Sequence, residues 1–511
     1  MLARVHSIAL EGVSARPVEV EVDLSNGLPS LNMVGLPEGA VREAKDRVRA
    51  ALKNGGWQIP AKRITINLAP ANLPKSGSLY DLPMAMGLLA SMGGVDGEAL
   101  KQTLLLGELA LDGRVKPVPG CMPAALLARE AGYTQLIVPA DNAQEAALVL
   151  GVTVIPVENL AQLVAHLRGE QPLSAYYVEQ DPLSDVRHEQ ASIDFSEIKG
   201  QAHAKRALEI VAAGGHNILM SGPPGSGKSM LARALISILP PLTVDEMLEV
   251  SAVYSVSGRL DPNQPWVAHR PFRSPHHTAS SVALVGGGGN PKPGEVSLAH
   301  HGVLFLDELP EYKRNVLEAL REPLETGDVT ISRASRSAHF PARFQLVCAC
   351  NPCPCGHLGD GQNRCACRPD EIQRYQGRLS GPLLDRIDLH LEVPAVDWET
   401  LTEGEGGEGS DLVRRRVLGA RQLQLTRNGA GNINAVLTGR QLEFLAPLDE
   451  ACRMLLSNAA KRLGFSARAY HRIQRLARTI ADLEGEKQIL PQHLAEAIQY
   501  RVTMKDRAAN R

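Results

Sequence analysis

The strongest constraint on this sequence is an eight-residue loop between a predicted strand and a predicted helix. Residues 222–229 match the pattern G-x-x-x-x-G-K-[ST] in full, with a mostly apolar run at 217–220 before them and a helix-forming run at 230–236 after them. In this context glycines let backbone N–H groups converge on phosphates, the lysine reaches the outer phosphates, and the last hydroxyl can ligate Mg²⁺. The flanking pattern disfavours a glycine-rich turn without a nucleotide. The predicted nucleotide-binding residues are Gly222, Pro223, Pro224, Gly225, Ser226, Gly227, Lys228 and Ser229.

A second apolar run ends in two acidic residues. Residues 302–306 are too continuously apolar for an exposed strand, and Asp307 and Glu308 follow them directly. A buried parallel strand presents the residues at its carboxyl end to the ligand crevice. We therefore expect Asp307 to hold Mg²⁺, directly or through water, and Glu308 to orient and activate an attacking water. The alternative is a strand that runs into an acidic turn.

Length and composition limit the possible classes of protein. A chain of 511 residues predicts about three domains. An apolar content of 44% is typical of a soluble globular protein, and no run approaches the ~18 apolar residues of a membrane span. The first eleven residues are too short and too interrupted for a signal peptide, so we expect a cytoplasmic protein. The net charge of −2 gives no overall attraction to nucleic acid, so any DNA contact must come from a local patch or from several subunits together.

Hydrophobic periodicity supports this division of the chain. Residues 18–22 and 63–68 alternate at the period of half-buried strands, whereas residues 41–52 have helical spacing. Ser78 or Asp81 is expected to cap a further helix. Near the end of the chain one apolar helical stripe comprises Ile473, Leu476, Ala477, Ile480 and Leu483. The expected units are an α+β domain at 1–170, a linker at 171–195, a nucleotide-binding core at 196–395, a flexible linker with a helix at 396–435 and a helical lid at 436–511.

Three further segments carry a family resemblance: residues 32–37 (NMVGLP), 74–83 (PKSGSLYDLP) and 293–302 (PGEVSLAHHG). With the loop and the acidic pair, they resemble AAA+ ATPases of the magnesium-chelatase-like group, and closely the ComM (YifB-type) family of bacteria, over essentially the whole length. The resemblance implies an α/β fold: an AAA+ P-loop core with a helical lid, preceded by a Lon-protease-like α+β domain.

The same resemblance implies a function. It indicates a ring-forming, hexameric, ATP-dependent DNA translocase or helicase that promotes branch migration during recombination of incoming DNA in natural transformation. ATP and Mg²⁺ would be its cofactors. Branched or single-stranded DNA and further copies of this chain would be its partners.

Three more site residues follow from the resemblance. Asn351, after the predicted strand 344–350, occupies the place of the first polar sensor, and Arg468 resembles the second. Arg386 lies in a segment that resembles the arginine finger, which a neighbouring subunit delivers to the phosphates. Alternatives remain open for each residue. Asn351 can belong to an ordinary Asn-Pro turn. Arg386 can pair at the surface with Asp385 or Asp388, and Arg468 can form a solvated basic face with Arg472 and Arg475.

The interval between Lys228 and Asp307 is long for a P-loop core. It resembles the family's pore-lining insertion, with Lys292 as its nearest cation. A hairpin predicted at 329–340 carries Arg333 and Arg336 near its tip. In a ring of subunits, the copies of this pair would form a circle of positive charge that contacts the phosphates of the DNA. An edge hairpin with protective charges is the alternative. Four histidines of this region are candidate metal ligands, although loop or interface roles are favoured: His276, His277, His300 and His301.

Six of the eight cysteines fall between Cys348 and Cys367. Two C-x-C pairs separated by nine residues can supply four thiolates to a tetrahedral zinc, and the glycines between them, Gly361 included, let a short loop fold back. Free thiols are the alternative. Cys348 and Cys350 belong to the preceding strand and are expected in the core. The predicted zinc ligands are Cys353, Cys355, Cys365 and Cys367.

Two other functions have to be weighed. A chelatase motor that drives metal insertion would need a partner with a D-x-S-x-S site, and the nearest string here, residues 23–27, lacks the second serine. An ATP-dependent protease of the Lon type would pair Ser76 or Ser78 with a lysine, but Met122 stands in the place of that lysine. Without a base the serine is an unactivated hydroxyl. We therefore expect a non-proteolytic domain for assembly or DNA handling.

Overall fold

The computed structural model describes residues 2–178, 193–289, 291–333, 336–360, 364–403, 406–429 and 431–501. Two separate sheets organise them: a seven-stranded mixed sheet in the N-terminal part, and a five-stranded parallel sheet that follows it. The predicted α/β fold class is confirmed.

The N-terminal unit is built on the seven-stranded sheet. Val18, Val20 and Val22 are buried while Glu19 and Glu21 lie on the other face, as the period of two predicts. The elements of this unit are β1 (Leu2–Glu11), β2 (Ser14–Ser25), β3 (Ser30–Val34), α1 (Gly39–Asn54), β4 (Arg63–Ala69), α2 (Asp81–Ser91), β5 (Thr103–Leu105), β6 (Glu108–Leu109), β7 (Val115–Lys116), α3 (Cys121–Ala131), β8 (Gln135–Pro139), α4 (Ala143–Ala146), β9 (Thr153–Val157) and α5 (Leu160–Leu167). The strand order is β3-β4-β2-β1-β5-β8-β9; β2 is antiparallel to both of its neighbours, β1 and β4, and the other neighbouring pairs are parallel.

The predicted side-chain cap of α2 is wrong. The helix begins at Asp81, directly after Tyr80, and no side chain caps it. The Asp81 carboxylate is fully buried and instead accepts hydrogen bonds from the Arg47 guanidinium at 2.7 and 2.9 Å and from the backbone N–H of Leu109 at 3.2 Å. A buried carboxylate needs a charged, hydrogen-bonded partner more than a helix end needs a cap.

The five-stranded sheet has the order β11-β14-β17-β10-β18 and forms the core of the second unit. Its strands are β10 (Ile218–Ser221), β11 (Phe272–Arg273), β14 (Val303–Leu306), β17 (Gln345–Cys350) and β18 (Leu389–Glu392); two hairpins pair β12 (Gly286–Gly287) with β13 (Lys292–Pro293) and β15 (Asp328–Arg333) with β16 (Arg336–Pro341). Because β14, β17 and β10 are parallel neighbours, their carboxyl ends lie side by side at one edge of the sheet.

Ten helices surround this sheet in the described residues. They are α6 (Ala202–Gly214), α7 (Lys228–Ile238), α8 (Val244–Ser257), α9 (Ser281–Val285), α10 (Glu295–Leu298), α11 (Arg314–Ala319), α12 (Pro323–Thr326), α13 (Pro369–Gln376), α14 (Gly381–Leu384) and α15 (Trp398–Glu403). As expected, Cys348 and Cys350 are buried in β17.

The last part of the chain is helical. Its helices are α16 (Ser410–Asn428), α17 (Gly439–Leu445), α18 (Glu450–Leu463), α19 (Ala467–Leu483) and α20 (Pro491–Gln499). In α19 the predicted stripe is buried at Ile473, Leu476, Ala477 and Ile480, and it packs into the same hydrophobic cluster as β10 and α7. No helix within the described ranges is long and apolar enough to cross a membrane.

Within the described ranges, the N-terminal unit contacts the second unit at α8 and at the hairpin of β15 and β16. Helix α8 packs on α3, where the Ser255 hydroxyl donates to the buried carboxylate of Glu145 and accepts from the backbone N–H of Gly120 at 3.1 Å. At the turn between β1 and β2, Gly12 has φ +67° and lies against the backbone of His339 in β16. A Cβ at Gly12 would overlap the His339 carbonyl oxygen, so this close approach requires glycine.

Candidate functional site

The loop after β10 has the geometry of a phosphate cradle. Gly225 and Gly227 adopt φ of +75° and +87°, and α7 begins immediately afterwards at Lys228. The Lys228 ammonium is 8% exposed and donates to the carbonyl oxygens of Gly222 at 2.8 Å and Pro223 at 2.9 Å. Burial lowers the pKa of this lysine, which the nearby Asp307 counteracts. A helix N-terminus with a buried ammonium beside it is a favourable position for an anion.

The second predicted half of the site meets the first. The Ser229 hydroxyl, in the first turn of α7, donates to Oδ2 of Asp307 at 2.8 Å, just past the end of β14. A hydroxyl oxygen and a carboxylate oxygen at this separation are the hard ligands that Mg²⁺ takes in proteins, usually together with water and substrate phosphates. These two residues therefore fit a magnesium ion beside the loop.

Glu308 has a strained backbone and a histidine partner. Its φ is +51°, and its N–H donates to Oδ1 of Asp307 at 2.9 Å. Its exposed carboxylate lies 3.1 Å from Nδ1 of His277, whose ring is next to that of His276 at 4.1 Å. Non-glycine residues at positive φ are uncommon and concentrate at functional sites. The sequence did not predict the pairing of His277 with Glu308, because two adjacent histidines give no indication of a partner in another part of the chain.

Asn351 stands at the end of β17, where the sequence places it. Its Oδ1 lies 3.4 Å from the Lys228 ammonium. Three adjacent parallel strands thus bring five predicted side chains to one edge of the sheet. We call this group the nucleotide edge: Lys228, Ser229, Asp307, Glu308 and Asn351.

The two predicted arginines lie elsewhere and share a carboxylate. Arg386 is 4% exposed; its guanidinium pairs with Glu325 in α12 and donates to the carbonyl oxygen of Pro382 at 2.7 Å. Arg468 is 61% exposed and lies 3.6 Å from the same Glu325 oxygen. In the described part of the chain no hydrogen bond or ion pair joins either arginine to the loop at 222–229.

The surface pairings considered for Arg386, with Asp385 or Asp388, are not the ones present. Asp388 is buried and pairs with Arg472, and Asp385 lies 3.8 Å from Arg501. The guanidinium of Arg472 and further hydrogen bonds hold the pKa of Asp388 well below its usual range in spite of burial. Glu325 carried no sequence signal, because a single glutamate in a short helix belongs to no recognisable pattern.

The predicted DNA-contacting residues lie in two hairpins, that of β12 and β13 and that of β15 and β16. Lys292 is exposed in β13, opposite Gly287. The hairpin of β15 and β16 is present with Arg333 opposite Arg336, but the side chains of these two arginines lie outside the described residues.

The four predicted zinc ligands come together. The Cys353 sulfur lies 3.4 Å from that of Cys355 and 3.7 Å from that of Cys365, and all four donor atoms, including Cys367, lie within 4.8 Å of one another. Cys353 is completely buried. Gly361 lies outside the described residues.

His300 and His301 converge on Glu249 of α8, at 3.0 and 2.9 Å. Nδ1 of His300 accepts the backbone N–H of Arg343 at 3.0 Å, so its proton resides on Nε2 and is donated to Glu249. Burial lowers the pKa of His300, in keeping with this neutral form. The contact favours a structural role in this loop over metal ligation, because a ligating Nε2 would require the proton on Nδ1.

The residues considered for peptidase chemistry lie in the N-terminal unit. Lys75 is completely buried, and its ammonium donates to the carbonyl oxygen of Pro70. Met122 is buried in α3. Among the described residues no hydrogen bond joins the hydroxyl of Ser76 or Ser78 to a lysine or a histidine.

Comparison with known proteins agrees with this architecture. The family described as "Magnesium chelatase, subunit ChlI" matches residues 194–401, "Subunit ChlI of Mg-chelatase" matches 20–142, and "Magnesium chelatase, subunit ChlI C-terminal" matches 407–501. The competence protein ComM of Haemophilus influenzae is 48% identical over 99% of this chain and 98% of its own length. YifB of Escherichia coli is 46% identical over 98% and 97%. The magnesium-chelatase 38 kDa subunit of Cereibacter sphaeroides is 26% identical over 44% of this chain and 71% of its own.

Proposed function

This chain belongs to the ComM (YifB-type) family of magnesium-chelatase-like AAA+ ATPases, and we propose that it is a ring-forming, ATP-driven DNA translocase that promotes branch migration during recombination of incoming DNA. The observation that carries the motor function is the nucleotide edge, which joins five side chains from three strands. The DNA substrate is supported by the name of the Haemophilus relative, a competence protein, and by the arginine-bearing hairpin.

We assign the following roles at the nucleotide edge. Lys228 and the backbone N–H groups of the loop bind the ATP phosphates, and Ser229 and Asp307 would hold Mg²⁺, which neutralises phosphate charge when bound. Glu308 orients the attacking water and accepts its proton, with His277 holding the carboxylate. Asn351 donates from its amide to the outer phosphate.

Arg386 and Arg468 are proposed to act on the ATP of a neighbouring subunit in a ring, most simply a hexamer. Both contact Glu325 within their own chain. The exposed Arg468 can reach a neighbour by rotating its side chain, whereas Arg386 must first leave Glu325. Glu325 therefore competes with the neighbouring phosphates for these guanidinium groups.

DNA contact is proposed to come from Lys292 and from Arg333 and Arg336 of the hairpin. With a net charge of −2, one chain does not attract DNA as a whole. A ring places several copies of each cation around one strand, and the summed phosphate contacts then give binding that weakens steeply with salt.

We also propose that Cys353, Cys355, Cys365 and Cys367 hold a structural zinc ion. A tetrahedral site with Zn–S bonds of about 2.3 Å has sulfur–sulfur edges of about 3.8 Å. The sulfur–sulfur distances of 3.4 to 3.7 Å in the cluster match those edges closely. Zinc would supply a cross-link between the two C-x-C pairs.

A junction assay tests the motor. Purified protein with ATP and Mg²⁺ is mixed with a four-way DNA junction that carries one labelled strand, and the released products are followed with time. We expect ATP-dependent strand movement in the wild type and none in Lys228→Ala. If the wild type hydrolyses ATP but moves no strand, the translocase proposal is wrong while the ATPase proposal stands. Chelatase-type partners would then be tested, given the Cereibacter relative.

A further inference from the structure

We infer that the four-cysteine loop forms a wall of the nucleotide site, and that the metal bound by its thiolates sets how tightly the site holds ATP. The inference rests on the proposed zinc site and deepens it. We call residues 353–360 and 364–367 the cysteine loop.

The cysteine loop touches the phosphate loop directly. Gly356 follows Cys355 and has φ +83°. A Cβ at this glycine would lie 2.5 Å from Cδ and 2.8 Å from Cγ of Pro224, and 3.8 Å from the side-chain carbon of Asn351. Real Cβ atoms do not approach other atoms as closely as 2.5 Å, so the backbone of the first C-x-C turn is packed against both the phosphate loop and the sensor asparagine.

Turns and a few polar contacts hold this wall in place. In the described parts of the loop, 353–360 and 364–367, there is no helix or strand before α13. Two turns lie within it, from the N–H of Gly356 to the carbonyl oxygen of Cys353 at 3.0 Å and from the N–H of Asp360 to that of His357 at 3.3 Å, and Arg364 donates to the Asp360 carboxylate at 2.8 Å. Gln376 of α13 donates to the carbonyl oxygen of Pro352 at 3.1 Å. The two C-x-C pairs meet through their sulfurs, and the backbone N–H groups of Cys355 and Ala366 donate to sulfurs of the opposite pair. A metal ion bound by the thiolates would add a much stronger cross-link between the pairs.

Removing that cross-link affects the nucleotide site through Gly356. The sulfurs of Cys353, Cys355 and Cys365, which lie 3.4 to 3.7 Å apart, lose their shared cross-link when the metal leaves, and the weaker hydrogen bonds and ion pair within the loop remain. The turn that supports Pro224 and Asn351 then becomes mobile. ATP must then order this turn as it binds, and the free energy spent on this ordering lowers the affinity for ATP.

The first test compares zinc-loaded and zinc-free full-length protein. Zinc is counted by mass spectrometry of the metal, then removed with a zinc-selective chelator that is separated before Mg²⁺ and a fluorescent, non-hydrolysable ATP analogue are added. We expect close to one zinc per chain, an affinity for the analogue on the order of tenfold lower in the zinc-free protein, and recovery when zinc is restored. Circular dichroism of both forms checks that the protein remains folded.

Two glycines of the same loop supply a matched pair of variants. Gly356 and Gly359 both have positive φ, +83° and +77°, so an alanine strains the backbone similarly at either position. Only Gly356→Ala collides with Pro224, because a Cβ at Gly359 meets nothing within 4 Å. We expect Gly356→Ala to keep its zinc but to bind the analogue on the order of tenfold more weakly. Gly359→Ala should keep both zinc and affinity.

These experiments distinguish a failure of the coupling between zinc and ATP from a failure of the proposed zinc site or of the proposed motor. Equal affinities with and without zinc, or equal affinities in the two glycine variants, would overturn the coupling even where zinc is bound. Much less than one zinc per chain, with no uptake of added zinc, would remove the metal site and the coupling together, whereas ATP binding that is sensitive to Lys228→Ala would still support the motor.

Discussion

At the nucleotide edge, charged and polar side chains at the carboxyl ends of three strands lie next to one another, and all of them except Lys228 stay partly open to solvent. In the N-terminal unit, comparable side chains lie inside the core. Ser229 and Glu308 are exposed, and the Ser229 hydroxyl and the Glu308 backbone N–H both donate to the Asp307 carboxylate. Lys75 and Asp81 are fully buried, and each is bound by its own chain. The first arrangement can accept a ligand, and the second has already used its hydrogen bonds to hold the fold.

The largest expected effect tests this contrast directly. Lys228→Ala removes the ammonium at the phosphates and is expected to lower ATPase kcat/KM by about 10²–10³-fold. Ser78→Ala, which removes the candidate peptidase hydroxyl, should leave ATPase activity unchanged. The measurement is phosphate release at several ATP concentrations for both variants. Casein cleavage that survives Lys228→Ala and disappears in Ser78→Ala would show that the N-terminal unit is an active peptidase, contrary to our interpretation.

The second prediction concerns the buried pair in the N-terminal unit. Arg47→Met leaves the Asp81 carboxylate in the core without its partner and is expected to lower the free energy of unfolding by about 3 kcal/mol. Burial raises the pKa of Asp81 already in the wild type, so the folded variant holds a proton more strongly than the unfolded chain. Its stability should therefore be greatest at low pH and fall as the pH rises above about 4.

A matched double variant checks that interpretation. Arg47→Met with Asp81→Leu replaces the pair by apolar side chains and should recover much of the lost stability, with little dependence on pH in that range. Denaturant unfolding at several pH values measures both variants. If Arg47→Met alone is as stable as the wild type, the N-terminal unit does not depend on its buried charges and the contrast with the nucleotide edge fails.

The third prediction asks whether the N-terminal unit acts through contact rather than chemistry. Gly12→Ala would overlap the His339 carbonyl oxygen in the hairpin, a collision that costs about 1–3 kcal/mol. Gly93→Ala has a similar φ of +74° with nothing within 4 Å and serves as the control. We expect Gly12→Ala to slow strand movement in the junction assay severalfold more than Gly93→Ala, with nucleotide binding equal. Equal strand movement in the two variants would show that this contact does not position the hairpin.

The sequence predicts the nucleotide edge well for a physical reason. Its residues follow apolar runs, and the carboxyl ends of neighbouring parallel strands meet in space, so local patterns are enough to place Lys228, Asp307 and Asn351 together. The roles of these residues remain proposals. Contacts that depend on tertiary packing could not be predicted in the same way. Nothing local places Glu325 beside Arg386, or Gly356 against Pro224.

The same reasoning explains the error at α2. A serine and an aspartate at the start of a helix satisfy the pattern for a cap. This local pattern contains no information about Arg47, which approaches from another helix. Once Asp81 is buried, its charge has to be neutralised, and that demand decides where the carboxylate points. Sequence patterns thus serve best where side chains stay open, and less well where burial selects the partner.

The smallest expected effect concerns Glu325, which holds both arginines away from the site they are proposed to serve. Glu325→Gln keeps a hydrogen-bonding oxygen for Arg386 but removes the negative charge, so both guanidinium groups are released more easily. If they act on a neighbour's ATP, the ATPase rate of the assembled ring should rise about two- to threefold. The reason is that the Glu325 charge, which competes with the phosphates for these arginines by less than ~1 kcal/mol, has been removed. The rate is measured against protein concentration, since the gain should appear only where subunits assemble. A purely structural pair would give the opposite sign at every concentration: lower stability and a lower rate, as expected when a buried arginine loses its counter-charge.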